Sequence, residues 1–175
     1  MERPLTGEPL AVDLLNTRWR DGDDEVDLLD GLDGLGQWLS ESGQADVPAT
    51  EPVRRALVHL RTVLRDVTND VPGAVDDLND VLARGLTVRS LQDGRPTERV
   101  LFADDSWSPA WRAAGSYLDL VAGAPAGVRQ CQSPDCVLYF FDPTGRRRWC
   151  SMAGCGNRAK ARRHHARQRT HRQAP

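Results

Sequence analysis

The 175-residue sequence predicts an α+β fold, in which a mainly helical body with a small β-hairpin precedes a compact four-cysteine module and a basic C-terminal helix. Three observations support this prediction. Apolar residues recur at helical spacing through the first two thirds of the chain, one segment alternates apolar and polar residues, and all four cysteines lie within 25 residues. Helices therefore dominate the body, and the cysteines organise the part that follows it.

Four apolar stripes predict the helices of the body. They consist of Leu32, Leu35, Trp38 and Leu39; of Val53, Leu57, Leu60, Leu64 and Val67; of Val75, Leu78, Val81 and Leu82; and of Trp111, Ala114, Leu118 and Val121. The second stripe, over residues 51–67, is the strongest, and His59 falls off it and is expected to face solvent. Turn and capping residues place the third helix within residues 70–85, with Gly85 ending it, and start the fourth at Ser108.

Two further segments of the body have a clear local pattern. Residues 86–92 and 97–103 alternate apolar and polar side chains around Asp93-Gly94-Arg95-Pro96, which predicts a β-hairpin. The segment from Arg18 to Asp30 is rich in acidic residues and invites comparison with a calcium-binding loop. An EF-hand loop needs glycine where this segment has Val26, so the sequence predicts a solvated acidic loop instead.

The formal net charge of −2 conceals a strong division along the chain. Up to Ala126 there are 12 Arg and no Lys against 23 acidic residues, whereas from Gly127 onward 11 basic residues face 2 Asp. The sequence therefore predicts two domains, 1–126 and 127–175, with the linker at 123–127. An acidic body with a basic tail favours a polyanionic partner such as nucleic acid. The alternative is a tail that folds back onto its own body.

The four cysteines are arranged as C-x4-C-x13-C-x4-C. We expect a cytoplasmic protein with no membrane contact, because the chain shows no secretory signal and no apolar run long enough to span a bilayer. Structural disulfides are disfavoured in the cytoplasm, because thiols there are kept reduced. Two close pairs joined by a connector of about a dozen residues are typical of a tetrahedral zinc site. The predicted ligands are Cys131, Cys136, Cys150 and Cys155. Four thiolates leave no open coordination position on the metal, which indicates structural Zn²⁺. The absence of C-x-x-C disfavours a redox role for the cysteines. His164 and His165 are weaker alternatives as zinc ligands.

The connector between the cysteine pairs predicts a small hairpin of its own. Val137 to Phe141 has the composition of a strand, Asp142 to Gly145 that of a turn, and Arg146 to Trp149 is expected to form the returning strand. Gly154 and Gly156, beside the second cysteine pair, are expected to adopt a positive φ that turns backbone amides toward sulfur. The metal would then fasten this hairpin.

Residues 156–172 predict a helix that is basic on both faces. Since it lacks an apolar face, we expect it to extend into solvent and to be ordered by the zinc site or by a ligand. Rows of guanidinium groups bind phosphate backbones, so DNA is the expected partner and RNA the alternative, whereas a helix that only adds solubility is the remaining interpretation. The candidate nucleic-acid-binding residues are Arg146, Arg147, Arg148, Arg158, Lys160, Arg162, Arg163, Arg167 and Arg169.

Two short motifs resemble a known pair of domains. Residues 149–158, which end in Cys155-Gly156-Asn157-Arg158, resemble the CGNR zinc finger. Residues 7–17, Gly-Glu-Pro-Leu-Ala-Val-Asp-Leu-Leu-Asn-Thr, are similar to the opening of the ABATE domain. The resemblance brackets nearly the whole chain and implies a bacterial protein of a stress-induced transcription regulator family. It also implies that the four cysteines bind zinc and that the C-terminal part binds DNA.

The body carries no catalytic motif. It has one histidine, no cysteine, no G-x-S-x-G and no glycine-rich phosphate loop, so we expect a protein without enzymatic activity. A body that senses a small-molecule or protein effector is the favoured hypothesis. Its candidate ligand-binding residues are Asp13, Asn16, Thr17 and Arg18, for which a capping or turn role is the alternative.

Three functions fit these features. The leading hypothesis is a transcription regulator that binds DNA through its zinc finger and basic helix. The alternatives are an RNA-associated or ribosome-associated zinc protein, and a protein-interaction module that uses residues 137–141 as its contact surface. A homodimer would suit paired DNA half-sites, although no heptad repeat in the sequence demands one.

Overall fold

The computed structural model describes residues 3–172, with the side chains of 166, 167 and 169–172 outside that description. The described helices are α1 (Leu10–Leu15), α2 (Leu32–Glu41), α3 (Glu51–Thr68), α4 (Ala74–Leu82), α5 (Ser108–Gly123) and α6 (Asn157–Arg172). The strands form three antiparallel pairs: β1 (Arg18–Asp21) with β2 (Asp24–Asp27), β3 (Gly85–Gln92) with β4 (Arg95–Phe102), and β5 (Val128–Gln130) with β6 (Tyr139–Phe141). The predicted α+β fold class is confirmed. Among these helices, none has both the length and the apolar composition that crossing a membrane requires.

Helix α3 is the central element of the body. Pro52 lies in its first turn, where a missing N–H removes no hydrogen bond. The predicted apolar stripe is buried from Val53 to Leu64, and α1, α2, α4 and α5 all pack against this helix. His59 is exposed, as predicted. The helical periodicity of the sequence thus identified the element around which the body is built.

Two helices bury only part of the face that was predicted. Val75 and Leu118, both expected inside, are 61% and 41% exposed. The buried residues include the predicted Leu78, Val81 and Ala114, together with Ala74 in α4 and Ala110, Ala113 and Tyr117 in α5. Helix α4 begins only after Gly73, which adopts a left-handed conformation (φ +86°), and this start sets the face that α4 presents. In α5 the small alanines permit close packing against α1, so this face is buried in preference to one with larger side chains.

The β3–β4 hairpin was predicted correctly, but Gly85 begins it rather than ending α4. Trp111 covers this glycine, and a Cβ atom there would lie 2.6 Å from the indole nitrogen. The same Trp111 nitrogen donates a hydrogen bond to the Leu82 carbonyl at 2.9 Å. At the far end, Asp93 and Gly94 form a two-residue turn in which both φ angles are positive. Trp111 therefore fixes the base of a hairpin whose turn extends away from the helices.

The acidic segment 18–30 is not the solvated loop that composition predicted. It folds into the β1–β2 hairpin, in which Trp19 is 3% exposed. Asp27 accepts hydrogen bonds from the buried Arg61 guanidinium at 2.7 and 2.6 Å. Burial alone would raise the pKa of Asp27, but the hydrogen bonds and the charge of Arg61 outweigh this effect and lower it. Composition missed the hairpin because the partners of Trp19 and Asp27 lie far along the chain.

The finger contains a different hairpin from the predicted one. Strand β6 pairs with β5, and residues 146–149 form no strand. The Asp142 carboxylate accepts hydrogen bonds from the Thr144 hydroxyl and the Arg147 amide, both at 2.6 Å, and these bonds lower the pKa of Asp142 to about 2. They wind the chain after β6 into a tight loop around Asp142. Residues 146–149 are thereby directed away from β6.

The finger shares its core with the body. Tyr139 of β6 is fully enclosed among body side chains, and its backbone meets Asn16 at the end of α1. The Asn16 amide donates to the Tyr139 carbonyl at 3.0 Å, and the Tyr139 amide donates to the Asn16 carbonyl oxygen at 2.8 Å. The Phe141 amide also donates to the Glu8 carboxylate at 3.1 Å. The domain boundary at Gly127 stays a prediction, since the linker joins two parts that pack together.

Replacing Asn16 with Ala should destabilise the whole protein. The variant leaves the buried N–H and C=O groups of Tyr139 without partners, and we expect the free energy of unfolding to fall by about 2 to 4 kcal/mol. Urea denaturation followed by circular dichroism measures this change. Asn79→Ala on the exposed face of α4 is the matched control and should change stability by less than about 0.5 kcal/mol. Equal losses in the two variants would contradict the proposed joining role of Asn16.

Candidate metal centre

The four cysteine sulfurs meet in one cluster. All four lie within 4.8 Å of one another. The Cys136 and Cys150 sulfurs are 3.7 Å apart, and the Cys150 and Cys155 sulfurs are 3.6 Å apart. A tetrahedral zinc ion with Zn–S bonds of about 2.3 Å places its sulfurs about 3.8 Å apart. The donor set and its spacing therefore fit a four-thiolate zinc ion.

Two different local structures deliver the cysteine pairs. In the first knuckle, the Cys136 amide donates to the Ser133 carbonyl at 3.0 Å and the Cys131 amide to the Leu138 carbonyl at 2.8 Å, which closes a tight turn. In the second, Cys155 lies in a π-helical turn over Met152–Gly156 that runs directly into α6. Any movement of this second knuckle must therefore move the start of α6.

The glycines of the second knuckle have a different role from the one predicted. The residues with positive φ do not include Gly154 or Gly156, so the expectation of a left-handed conformation there was wrong. Gly156 is needed for space instead, because a Cβ atom would lie 2.8 Å from the Met152 sulfur and 3.3 Å from the Trp149 ring. The turn is held by the Ser151 hydroxyl, which accepts a hydrogen bond from the Gly154 amide at 3.0 Å.

Electrostatics within the cluster favours a bound cation. Burial raises the pKa of the Cys131 thiol. A hydrogen bond with Cys150 lowers the pKa of Cys136 to about 5, and the same bond raises the pKa of Cys150. A divalent ion satisfies all four sulfurs at once, and the site is then formally −2. The Arg158 guanidinium offsets part of this charge by donating to the Cys155 sulfur at 2.9 Å.

Aromatic and aliphatic side chains enclose the sulfurs. Trp19, Leu138 and Phe140 form a buried cluster with the cysteines, and Trp149 packs against it. Trp19 belongs to the β1–β2 hairpin of the body, so part of the shell around the metal lies outside the finger. Sequence reasoning missed Trp19, because its segment gave no sign that it lies beside the cysteines. Such a shell limits the access of water to the metal.

Comparison with family models confirms the resemblance seen in the sequence. The model of the CGNR zinc finger matches residues 128–168. The ABATE model, described as "Putative stress-induced transcription regulator", matches residues 8–124, about two thirds of the chain. The chain belongs to the ABATE family. No curated protein matches it. With the finger match and the clustered sulfurs together, the cofactor prediction is confirmed: this ABATE protein carries a structural zinc site.

The candidate nucleic-acid-binding residues occupy several environments. The side chains of Arg146, Arg148, Arg158, Lys160, Arg162 and Arg163 are exposed, that of Arg147 is half-buried, and those of Arg167 and Arg169 lie outside the described residues. Arg162 pairs with Asp135 of the first knuckle, and Arg148 donates to the Gln132 side chain at 2.8 Å. Arg163 donates to the Ala159 carbonyl of its own helix, at 3.4 Å. The exposed cations therefore divide into those tied to the finger and those that face solvent.

Arg147 serves the finger itself. Its guanidinium donates to the carbonyls of Trp149 (2.9 Å) and Cys150, and it pairs with Glu8 at 3.4 Å. It also lies 4.5 Å from the centre of the Phe140 ring. These contacts join the second knuckle to the N-terminal segment of the body. Among the candidate residues with described side chains, Arg147 is thus the one most fully engaged within the protein.

Of the residues predicted to bind an effector, Asn16 and Thr17 are buried, whereas Asp13 and Arg18 are partly exposed. Asn16 is bound to Tyr139, and Thr17 donates to the Leu14 carbonyl at 2.7 Å while accepting from Arg61 at 2.8 Å. Asp13 accepts hydrogen bonds from Arg3 and from the Trp38 indole at 2.7 and 2.8 Å. Arg18 pairs with Glu25. The capping and turn alternative fits these contacts better, because the hydrogen-bonding groups already have partners.

Cys150→Ser should remove the metal. We expect zinc bound per chain, measured by mass spectrometry of the native protein, to fall from one to well below one, because an alcohol is a far weaker zinc ligand than a thiolate. Tryptophan fluorescence should also change, since Trp19 and Trp149 pack around the cysteines. Ser40→Ala, an exposed change in α2 away from the cluster, is the control and should retain its zinc. Full zinc occupancy in Cys150→Ser would contradict the four-thiolate assignment.

Comparing Arg147 with its exposed neighbour Arg146 tests whether the contacts of Arg147 stabilise the finger. Arg147→Gln should lower the midpoint of thermal unfolding by several degrees, because two backbone carbonyls and Glu8 lose their partner. Arg146→Gln removes the same charge from an exposed position and should leave the midpoint nearly unchanged. Differential scanning calorimetry of both variants gives the comparison. Equal midpoints would show that Arg147 does not hold the knuckle.

Proposed function

We propose that this ABATE protein is a transcription regulator that binds duplex DNA through α6. The observation that carries the proposal is the attachment of a basic helix to a metal site. Helix α6 begins two residues after the ligand Cys155, Arg158 contacts the Cys155 sulfur, and Arg162 pairs with Asp135. The direction of α6 is therefore set at its first two turns by contacts with the zinc site and the first knuckle. A helix held in this way loses less conformational entropy when it enters the major groove, because its first turns are already ordered.

The charge along α6 suits a phosphate backbone. Lys160 and Arg163 are exposed, and neither forms an ion pair with any side chain in the described part of the protein. With 16 residues, α6 is about 24 Å long, comparable to several base pairs of a groove. The body has 23 acidic residues up to Ala126, which favours contact with a polyanion through the finger end.

We further propose that the protein has no enzymatic activity and that the body senses an effector in response to stress. Four cysteine ligands leave zinc without a position for water or substrate, which supports a metal that organises structure rather than one that performs chemistry. A body tied to the finger through Asn16 and Tyr139 gives an effector a physical route to the DNA-binding part. Bacterial origin and the cytoplasm remain the expected setting.

Fluorescence anisotropy tests DNA binding directly. The zinc-loaded protein is titrated into labelled duplex DNA and labelled RNA of matched length at two salt concentrations, and a genomic pool is enriched by repeated selection. We expect affinity for duplex DNA to exceed that for RNA, to fall steeply with salt, and to rise for one enriched sequence. Preference for RNA would favour the RNA-associated alternative. Binding to neither would overturn the proposal.

Neutralising the two solvent-facing cations of α6 should weaken DNA binding without unfolding the protein. For Lys160→Gln/Arg163→Gln we expect about tenfold lower affinity near physiological salt and a slope of log affinity against log salt that is shallower by about 2. Anisotropy at several salt concentrations provides both values. The control Arg95→Gln/Arg99→Gln removes two equally exposed charges from β4 and should alter neither value. The same slope in all three proteins would show that α6 does not contact phosphates.

A further inference from the structure

A cleft of about 410 Å³ lies on the body, away from the zinc site. One wall is a face of α3 that includes Arg55, Ala56 and His59. The facing wall includes Arg84, which follows α4, and Trp107 in the 3-10 turn Asp105–Trp107. A volume between about 300 and 1,000 Å³ is usual for small-molecule sites. The cleft is therefore large enough for a small organic ligand.

The two arginines of the cleft are only partly neutralised by the protein. Neither Arg55 nor Arg84 forms an ion pair with any side chain in the described part of the protein. Glu51, one turn before Arg55, is already bound by Arg54 through both carboxylate oxygens at 2.8 and 2.7 Å. Arg55 therefore feels the charge of Glu51 without forming an ion pair with it.

One carboxylate does line the cleft, but it is engaged elsewhere. Asp104 accepts a hydrogen bond from the Ser106 amide at 3.0 Å and begins the 3-10 turn. These bonds to Ser106 lower the pKa of Asp104. It offsets one of the two guanidinium charges. The lining therefore keeps a net positive charge and attracts anions.

Trp107 lines the cleft with the part of its indole that Arg84 and His59 leave uncovered, and these two neighbours fix its position before any ligand binds. The Arg84 guanidinium lies over its ring, 3.7 Å from the centre. The His59 ring meets the indole edge to face, with 5.8 Å between ring centres and an angle of 79°. Ala56 adds an apolar methyl on the α3 side. Charge and apolar surface therefore face the same open cleft.

We infer that this cleft binds a small organic anion that carries a planar apolar ring. Arg55 and Arg84 hold the anionic group, a carboxylate or a phosphate, and Trp107 and Ala56 contact the ring. The site differs from Asp13, Asn16, Thr17 and Arg18, whose polar groups are occupied within the protein. The inference deepens the proposed sensing role and rests on it for its biological meaning, whereas ligand binding itself is measured without DNA.

Isothermal titration calorimetry of the full zinc-loaded chain tests the site with simple probes. Benzoate and phenyl phosphate carry both features, acetate carries the charge alone, and benzyl alcohol carries the ring alone. We expect saturable binding of benzoate, phenyl phosphate or both, with at least tenfold weaker binding of acetate and of benzyl alcohol. Arg55→Gln, an exposed change that leaves the stacked Arg84 in place, should weaken binding at least tenfold. Arg95→Gln, the control of equal charge on β4, should bind like the natural protein.

Three results would overturn the inference: no saturable binding of either ring-bearing anion, equal binding of benzyl alcohol, or equal binding by Arg55→Gln and Arg95→Gln. Thermal unfolding and zinc content of each variant confirm that a loss of binding is not a loss of fold. Anisotropy with DNA, run with and without benzoate, is a separate arm. Ligand binding by a chain that binds no DNA would support this site and contradict the proposed function. A benzoate-dependent change in DNA affinity would support both.

Discussion

Four cysteine sulfurs held within 4.8 Å of one another form the constraint on which the rest of the structure depends. Ionised sulfurs repel each other at this distance, and a bound cation removes this repulsion, so metal binding stabilises the cluster. The cluster also needs cover, and Trp19 of the body supplies part of it. The four ligands therefore come from one short segment of the sequence, but the side chains around them come from both the body and the finger. Zinc binding must stabilise the contact between body and finger as well as the finger.

The same arrangement keeps the two opposite charges of the protein apart. The contacts of α6 run mainly to the π-helical turn that precedes it, and the acidic partner of its described side chains is Asp135 of the finger. Within the described residues, the tail thus makes no ion pair with the acidic body. This favours a basic helix that is available to a partner over a tail folded back on its own body. The acidic hairpin β1–β2 contributes Trp19 to the finger, while Asp21, Asp23 and Asp24 stay exposed.

Local patterns in the sequence were sufficient for some features and insufficient for others. Three predictions agree with the structure: the apolar stripe of α3, the turn at Asp93-Gly94 and the clustering of the cysteines. Each of these features depends on residues that lie close together in the sequence. The burial of Trp19, by contrast, depends on cysteines more than 100 residues away. No local pattern reports such contacts. The internal hydrogen bonds of the candidate effector residues could not be predicted for the same reason, since the partners of Asn16 and Thr17, Tyr139 and Arg61, are distant in sequence.

The arginines of the finger show how one residue type serves two purposes. From Gly127 onward there are ten Arg and one Lys, and in the sequence the ten are equivalent. In the structure, Arg147 reaches two carbonyls, a carboxylate and an aromatic face with one planar group, which the ammonium of lysine cannot do. Arg158 and Arg162 each bind one group of the finger, whereas Lys160 has no ion pair with a described side chain. Composition alone therefore overstates the charge available to a nucleic acid. Some of the arginines instead hold the finger in the conformation that exposes the other basic residues.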